Sequence, residues 1–201
     1  MFTIGVTGPS GSGKSLFCSL FANTGFFAID CDEVYHELTD APSECTRELA
    51  SEFGDEILLP SGALDRRALA KVVFAPDAKN KLDILNAITH KYVLSEVRRR
   101  IAALSPDCRG ALVDAPLLFE SGFDKECDLT VALLAPRETR LSRLSERDSL
   151  PTNALNARLD AAKSDEWYTE RCDVTVYNTG DADDLQTAVA DIAKKIQKHI
   201  G

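Results

Sequence analysis

The stretch from Gly8 to Ser15, GPSGSGKS, fits the pattern G-x-x-x-x-G-K-[ST], and its setting constrains the fold more than any other feature of the chain. Before it lies FTIGVT (2–7), apolar and β-branched. After it, LFCSLFA (16–22) repeats its apolar residues at helical spacing. Strand, glycine-rich loop and helix in that order form a phosphate cradle. Gly8, Gly11 and Gly13 let the backbone turn tightly enough for successive N–H groups to converge on phosphate oxygens, and the helix N-terminus adds a favourable dipole. Lys14 places a charge on the β- and γ-phosphates, and Ser15 is a candidate Mg²⁺ ligand. A merely flexible turn has no need of lysine followed by serine.

Four further apolar runs read as strands: FFAID (26–30), ALVDAPLL (111–118), LTVALLA (129–135) and VTVYN (174–178). The first three are continuous rather than alternating, as strands covered on both faces of a parallel sheet are. Strands separated by helical segments predict an α/β fold, a five-stranded parallel sheet in three layers (α/β/α) of the P-loop nucleoside-triphosphate-hydrolase type. Residues 32–110 are far more chain than one crossover helix needs, and they carry helical patterns at 44–53, 66–74, 77–88 and 91–104. The chain is therefore read as one domain over 1–201. Its core is 1–35, 106–136 and 166–201, with a helical substrate-binding insert at about 36–105. A helical lid at about 137–165 is charged and lacks a long apolar stripe, which suits a mobile cover.

Charge and composition narrow the partners. A formal net charge of −9 gives the surface no general attraction for nucleic acid or an anionic membrane, so any anion site is local. Basic clusters at Arg66-Arg67, Arg98-Arg99-Arg100 and Arg140, Arg143 and Arg147 leave room for a polyphosphate, although each also suits a solvated helix face. The six cysteines show no metal-ligand spacing, which argues against zinc and predicts reduced thiols in a cytoplasmic protein. The chain opens on a strand without a basic and then apolar leader, and no apolar run reaches the roughly 18 residues of a membrane span.

Asp30 and Asp32 follow the second strand two residues apart, towards the sheet edge where α/β folds bind ligands. Either carboxylate could accept a proton from a hydroxyl nucleophile, and either could instead cap the next helix. Asp114 ends the run ALVD, where a second carboxylate of P-loop enzymes holds the Mg²⁺ shell; Glu120 follows six residues on. Arg140, Arg143 and Arg147 share one helix face, from which they would neutralise charge on transferring phosphate or pair with Glu146 and Asp148.

With these residues in view the chain resembles the dephospho-coenzyme A kinases nearly from end to end. Matching pieces are TGPSGSGKS, IDCDEV, SGALDRRALAKVVF, LNAITH, DAPLLFESG, RLSRLSERD, NARLDAA and CDVTVYNTGD. LDRRAL and PLLFESG separate this family from other small-molecule kinases. The resemblance implies transfer of the ATP γ-phosphoryl group to the ribose 3′-hydroxyl of dephospho-coenzyme A, the last step of coenzyme A synthesis. It implies Asp32 as base, Lys14 with Arg143 or Arg147 as charge stabilisers, and Gly11, Ser12, Gly13, Lys14, Ser15 and Leu16 as the ATP loop. Arg66, His90, Leu117 and Glu120 become candidate contacts to the acceptor, and Asn178 and Gly180 fall near the adenine. A lone histidine in a helical insert is as readily a structural hydrogen-bonder. A monomer is expected, with an oligomer left open.

Three positions depart from the family pattern. Lys91 replaces the proline after the histidine and would alter how a helix starts; Ala162 replaces a glutamine and loses a polar contact in the lid; Leu16 replaces a threonine and keeps its backbone N–H. Two rival readings are a kinase of the same architecture acting on a smaller acceptor and a P-loop switch. The generous helical insert argues against the first, and the presence together of Lys14, Ser15, Asp32 and Asp114 argues against a nucleotide-binding module that no longer catalyses.

Overall fold

The computed structural model describes residues 1–75, 78–148, 150–180 and 182–200, excepting the side chains of Ala182 and residues 198–200. Asp77, which opens the helix expected at 77–88, lies outside the described residues, as do Ser149 of the expected lid and Asp181 and Gly201 of the expected core. In chain order the elements are β1 (Phe2–Thr7), α1 (Lys14–Ala22), β2 (Phe26–Asp30), α2 (Cys31–Thr39), α3 (Glu44–Phe53), α4 (Arg66–Val73), α5 (Lys81–Ala102), β3 (Gly110–Asp114), β4 (Leu129–Leu134), α6 (Arg137–Arg147), α7 (Thr152–Asp160), α8 (Asp165–Thr169), β5 (Val174–Tyr177) and α9 (Ala182–Ile200). They form two compact units, Met1–Ile29 with Leu104–Gly201, and Asp30–Ala103.

The first unit is built on the parallel sheet, in the order β2-β3-β1-β4-β5. β1 sits where the order reverses, β3 on one side and β4 on the other, so the loop after it opens at the crevice where such sheets take ligands. The alternation of β4 shows why its sequence is an unbroken apolar run. Val131 and Leu133 join Ile4, Val6, Phe17 and Phe21 and the α9 residues Leu185, Val189 and Ile192 in one core. Ala132 and Leu134 turn to the opposite face and pack on Tyr168 of α8. Both faces are thus covered, and the one polar residue of the strand, Thr130, is buried with its hydroxyl donating to Asp173 Oδ2 at 2.7 Å.

One expectation changes here. The third strand ends at Asp114 rather than 118, because Pro116 has no N–H for the ladder and the chain turns, Leu118 N donating to Ala115 O at 3.1 Å. Leu117 is left exposed while Leu118 is buried. The stretch after β4 packs on itself through a few leucines, Leu141, Leu144, Leu155 and Leu159, which hold α6 on α7.

The second unit is helical, with a core of Cys45, Leu49, Phe53, Ile57, Leu64, Leu69, Val73 and Ile88. Its helix starts are written in short polar side chains. Ser43 and Thr46 form a reciprocal capping box on α3, and Asp65 of LDRRAL accepts from Arg67 N and Ala68 N to start α4. The described parts of the patterns at 77–88 and 91–104 merge into one continuous helix, α5, from Lys81 to Ala102, since nothing in Thr89-His90-Lys91 breaks it. Lys91 therefore lies inside a helix and not at a start. α2, beginning directly after β2, is the helix that Asp30 or Asp32 could cap, although the sequence shows no helical pattern delimiting it. Among the described residues no helix is long and apolar enough to cross a membrane.

Candidate active site

The glycine loop leaves β1 after Thr7 and enters α1 at Lys14. The residue before the helix, Gly13, has φ 99°, and no side chain caps the first turn, so its N–H groups are left to a ligand. Lys14 Nζ donates to Gly8 O at 3.0 Å, which holds the ammonium against the loop's own backbone. Ser12 is fully buried and its N–H closes a turn onto Pro9 O at 3.2 Å. Ser15 is exposed in the first turn of α1, and Leu16 is 50% exposed.

The arginines of α6 divide between the loop and the surface. Arg140 is buried, and Nε donates to Ser10 O at 3.0 Å. Burial pulls its pKa below the ordinary guanidinium value, against the opposing pull of Asp165. Arg143 donates through Nη1 to Gly11 O at 3.1 Å and Ser12 O at 3.4 Å, and through Nη2 to Asn178 Oδ1 at 3.1 Å. Arg147 turns instead to Asp148, Nε to Oδ1 at 2.7 Å and Nη2 to Oδ2 at 3.1 Å. Asn178 follows β5 and is buried; its Nδ2 donates to Ser12 O at 2.8 Å, and its Oδ1 also accepts from Gly180 N at 3.2 Å. Both polar atoms of that amide are thus spent on the phosphate loop and its neighbours.

Asp114 is buried at the end of β3, in register with Val6 of β1. Beyond it Thr7 Oγ1 donates to Pro116 O at 3.3 Å, tying the PLLFESG turn to the end of β1. Glu120 raises the pKa of Tyr168, which burial chiefly pushes up to about 12. Ser15 and Asp114 supply hard oxygen donors suited to Mg²⁺. Among the described residues no three His, Cys, Asp or Glu side chains form a metal cage.

The helical unit holds the remaining candidates. Asp30 is the N-cap of α2: its Oδ1 accepts from Asp32 N at 2.8 Å and Glu33 N at 3.3 Å. Of the two aspartates the cap is therefore Asp30, and Asp32 stands in the first turn of the helix. Arg66, first residue of α4, closes on the end of α2. Its Nη2 lies 2.7 Å from His36 Nδ1, 2.9 Å from Thr39 Oγ1 and 2.8 Å from Asp40 Oδ1, with the guanidinium 5.7 Å from the Tyr35 ring centre. His90 is half-buried in the middle of α5.

The family model for dephospho-CoA kinase matches residues 2–184. The chain belongs to the dephospho-CoA kinase family. A dephospho-CoA kinase of Corynebacterium glutamicum is 34% identical over 201 residues, spanning 100% of both chains. One from Moorella thermoacetica is 35% identical over 202 residues, spanning 100% of this chain and 94% of that one. Among solved structures, a protein from Thermus thermophilus matches with a TM-score of 0.80 at 29% identity, over 96% of this chain and 97% of the other. A dephospho-CoA kinase from Campylobacter jejuni matches at 0.60 and 25% identity, over 96% of each.

Within the dephospho-CoA kinase family, the three departures take different places. Leu16 turns its side chain outward and leaves the backbone of the loop as it is. Lys91 donates to Glu48 Oε2 at 2.5 Å, the oxygen that also accepts from Tyr92 OH at 2.5 Å, so the charge links α5 to α3. Ala162 lies just past α7, its N–H on Leu159 O at 3.3 Å. From sequence Arg140 shares with Arg143 and Arg147 the expected role of neutralising phosphate charge, whereas its burial against Ser10 O sets it apart from Arg147. The only signal was the spacing of three arginines, which cannot say which of them turns inward.

Proposed function

We propose that this chain transfers the γ-phosphoryl group of ATP to the 3′-hydroxyl of dephospho-CoA, giving CoA and ADP, the last step of CoA synthesis. The observation that carries this reading is the family match across residues 2–184, which includes a glycine loop with Lys14 and an uncapped helix start in place. ATP would lie with its phosphates in Gly8, Gly11, Ser12, Gly13, Lys14, Ser15 and Leu16, and its base near Asn178 and Gly180. Asp32 takes the proton from the attacking hydroxyl as the bond to phosphorus forms, and the bond to the ADP oxygen breaks. Asp30 is the weaker candidate because its carboxylate is engaged by two backbone N–H groups. Lys14 carries charge inside the loop, Arg143 adds charge behind it, and Arg147 stands at the end of α6. Ser15 and Asp114 would hold Mg²⁺, which neutralises phosphate charge when bound. The acceptor would be held by the helical insert through Arg66 and His90, with Leu117 and Glu120 from the turn after β3. We place the enzyme in the cytoplasm as a monomer, with a lid at 137–165 and neither nucleic acid nor membrane as partner.

The test is direct. Incubation with Mg-ATP and dephospho-CoA should yield a product heavier by one phosphoryl group, located at the 3′ position, and chelation of the metal should abolish it. ATP turnover on a nucleoside or small alcohol, with dephospho-CoA untouched, would move the reading to a kinase with a different acceptor.

A further inference from the structure

Three consecutive carbonyls of the glycine loop are held from behind by residues more than a hundred positions away. Ser10 O accepts from Arg140 Nε at 3.0 Å, Gly11 O from Arg143 Nη1 at 3.1 Å, and Ser12 O from Asn178 Nδ2 at 2.8 Å with Arg143 Nη1 at 3.4 Å. The clasp closes on itself, since Asn178 Oδ1 accepts from Arg143 Nη2 at 3.1 Å. A trans peptide is planar, so its carbonyl and the following N–H point in opposite directions. Fixing the carbonyls of Ser10, Gly11 and Ser12 towards α6 and Asn178 therefore turns the N–H groups of Gly11, Ser12 and Gly13 the other way. Of these, Ser12 closes onto Pro9 O, while Gly11 and Gly13 present theirs to the side where phosphate binds.

Two glycines bear the mark of the same clasp. A Cβ on Gly11 would lie 2.9 Å from Arg140 O, and one on Gly13 would lie 2.2 Å from Asn178 Nδ2. Their lack of side chains thus serves the approach of α6 and of the Asn178 amide as well as that of a nucleotide. Two guanidinium groups behind the loop also add positive potential where water is largely excluded. Arg140 works through one nitrogen: its Nη2 is buried without a hydrogen-bond partner among the described residues.

We propose that Arg140 and Asn178, with Arg143 shared between them, are positioning residues that preset the glycine loop for the nucleotide. They govern ATP affinity and leave acceptor affinity alone. The proposal rests on the reading of this loop as the ATP site. In the full-length chain, Asn178→Ala and Arg140→Met should each weaken MgATP binding about ten-fold by titration calorimetry, the loss expected when a hydrogen bond to a partly buried carbonyl goes unmade. The KM for dephospho-CoA should stay within about two-fold. Arg140→Lys keeps a donor for Ser10 O and should recover most of the lost affinity. If Arg140 merely filled space, methionine would be the better replacement. Arg137→Met, on the same helix but paired with Asp160 and Asn156, should bind ATP like the wild type. Wild-type affinity in both Asn178→Ala and Arg140→Met, or equal loss in Arg137→Met, would overturn the proposal. Should Asn178→Ala not fold, Asn178→Ser removes the amide at smaller volume change and is judged by the same criterion. A wild type that binds no ATP overturns the clasp together with the ATP site. One that binds ATP but does not phosphorylate dephospho-CoA removes only the acceptor reading, and the calorimetry still decides the clasp.

Discussion

The pair Asp30 and Asp32 offers a sharp test of the proposed chemistry, because the two carboxylates differ in what the fold asks of them. Asp30 Oδ1 accepts from two first-turn N–H groups at 2.8 and 3.3 Å, a helix cap. Asparagine caps about as well as aspartate, so Asp30→Asn should keep both stability and turnover within a few-fold. Asp30→Ala removes the acceptor and should cost about 1 kcal/mol, or roughly 2–4 °C in melting temperature for a chain of this length. Asp32 lies in the first turn without being the cap, so Asp32→Asn should lower the melting temperature no more than Asp30→Ala does. Its kcat should fall by about two orders of magnitude or more if the carboxylate takes the hydroxyl proton, with ATP affinity within a few-fold. Steady-state kinetics, nucleotide titration and thermal melts on the three variants separate the roles. A wild-type kcat in Asp32→Asn combined with a large loss in Asp30→Asn would refute the assignment, since the cap argument forbids that pattern.

Other expectations follow from individual side chains. Arg99 holds the Glu96 carboxyl at about 2, with Arg100 adding to the effect, against an ordinary 4.5. A lowered carboxylate pKa stabilises the fold above the unfolded value and loses that effect as the pH falls towards the folded one. The melting-temperature gap between wild type and Glu96→Gln should therefore be largest above pH 4.5 and shrink steadily towards pH 2. Leu16→Thr, which restores the family's usual residue, should change ATP affinity by less than about two-fold, because the side chain is 50% exposed and only its N–H is asked for. Burial raises the thiols of Cys45 and Cys172 to about 11 and of Cys127 to about 12. Alkylation at pH 8 followed by peptide mapping should find these three modified more slowly in the folded chain than in the same chain unfolded in denaturant.

The sheet was legible from sequence because parallel strands covered on both faces leave a plain record. LTVALLA is an unbroken apolar run since Val131 and Leu133 face α1 and α9 while Ala132 and Leu134 face α8. The helices of the insert were harder to delimit. Periodicity alone could not tell whether 77–88 and 91–104 were two helices or one, and the answer lay in what was missing: no proline or glycine stands between them. α2 entered only as the helix that Asp30 or Asp32 could cap, and its bounds were not legible because it starts at Cys31 directly after a strand residue, with no loop to punctuate it. The run through 118 was read one turn too long, since Leu117 and Leu118 look alike on paper and only the turn at Pro116 sends one out and the other in.

The candidate site was legible where chemistry depends on residues adjacent in sequence, and illegible where it depends on partners far apart. Gly8 to Ser15 could be read as a cradle because strand, loop and helix are contiguous. That Asn178 would put both polar atoms of its amide behind that cradle could not be read, because it joins residues 166 apart in the chain. The same holds for Arg140, Arg143 and Arg147, which a helix wheel makes equivalent. Contact with the loop separates them: two turn to carbonyls of residues 10 to 12, and one turns to Asp148. A pattern of spaced arginines therefore mixes two placements, against the loop's backbone and beside Asp148 at the helix end, and the proposed roles divide the same way. Substitutions that weaken ATP binding alone should sort with the first, and those that lower kcat alone with the second.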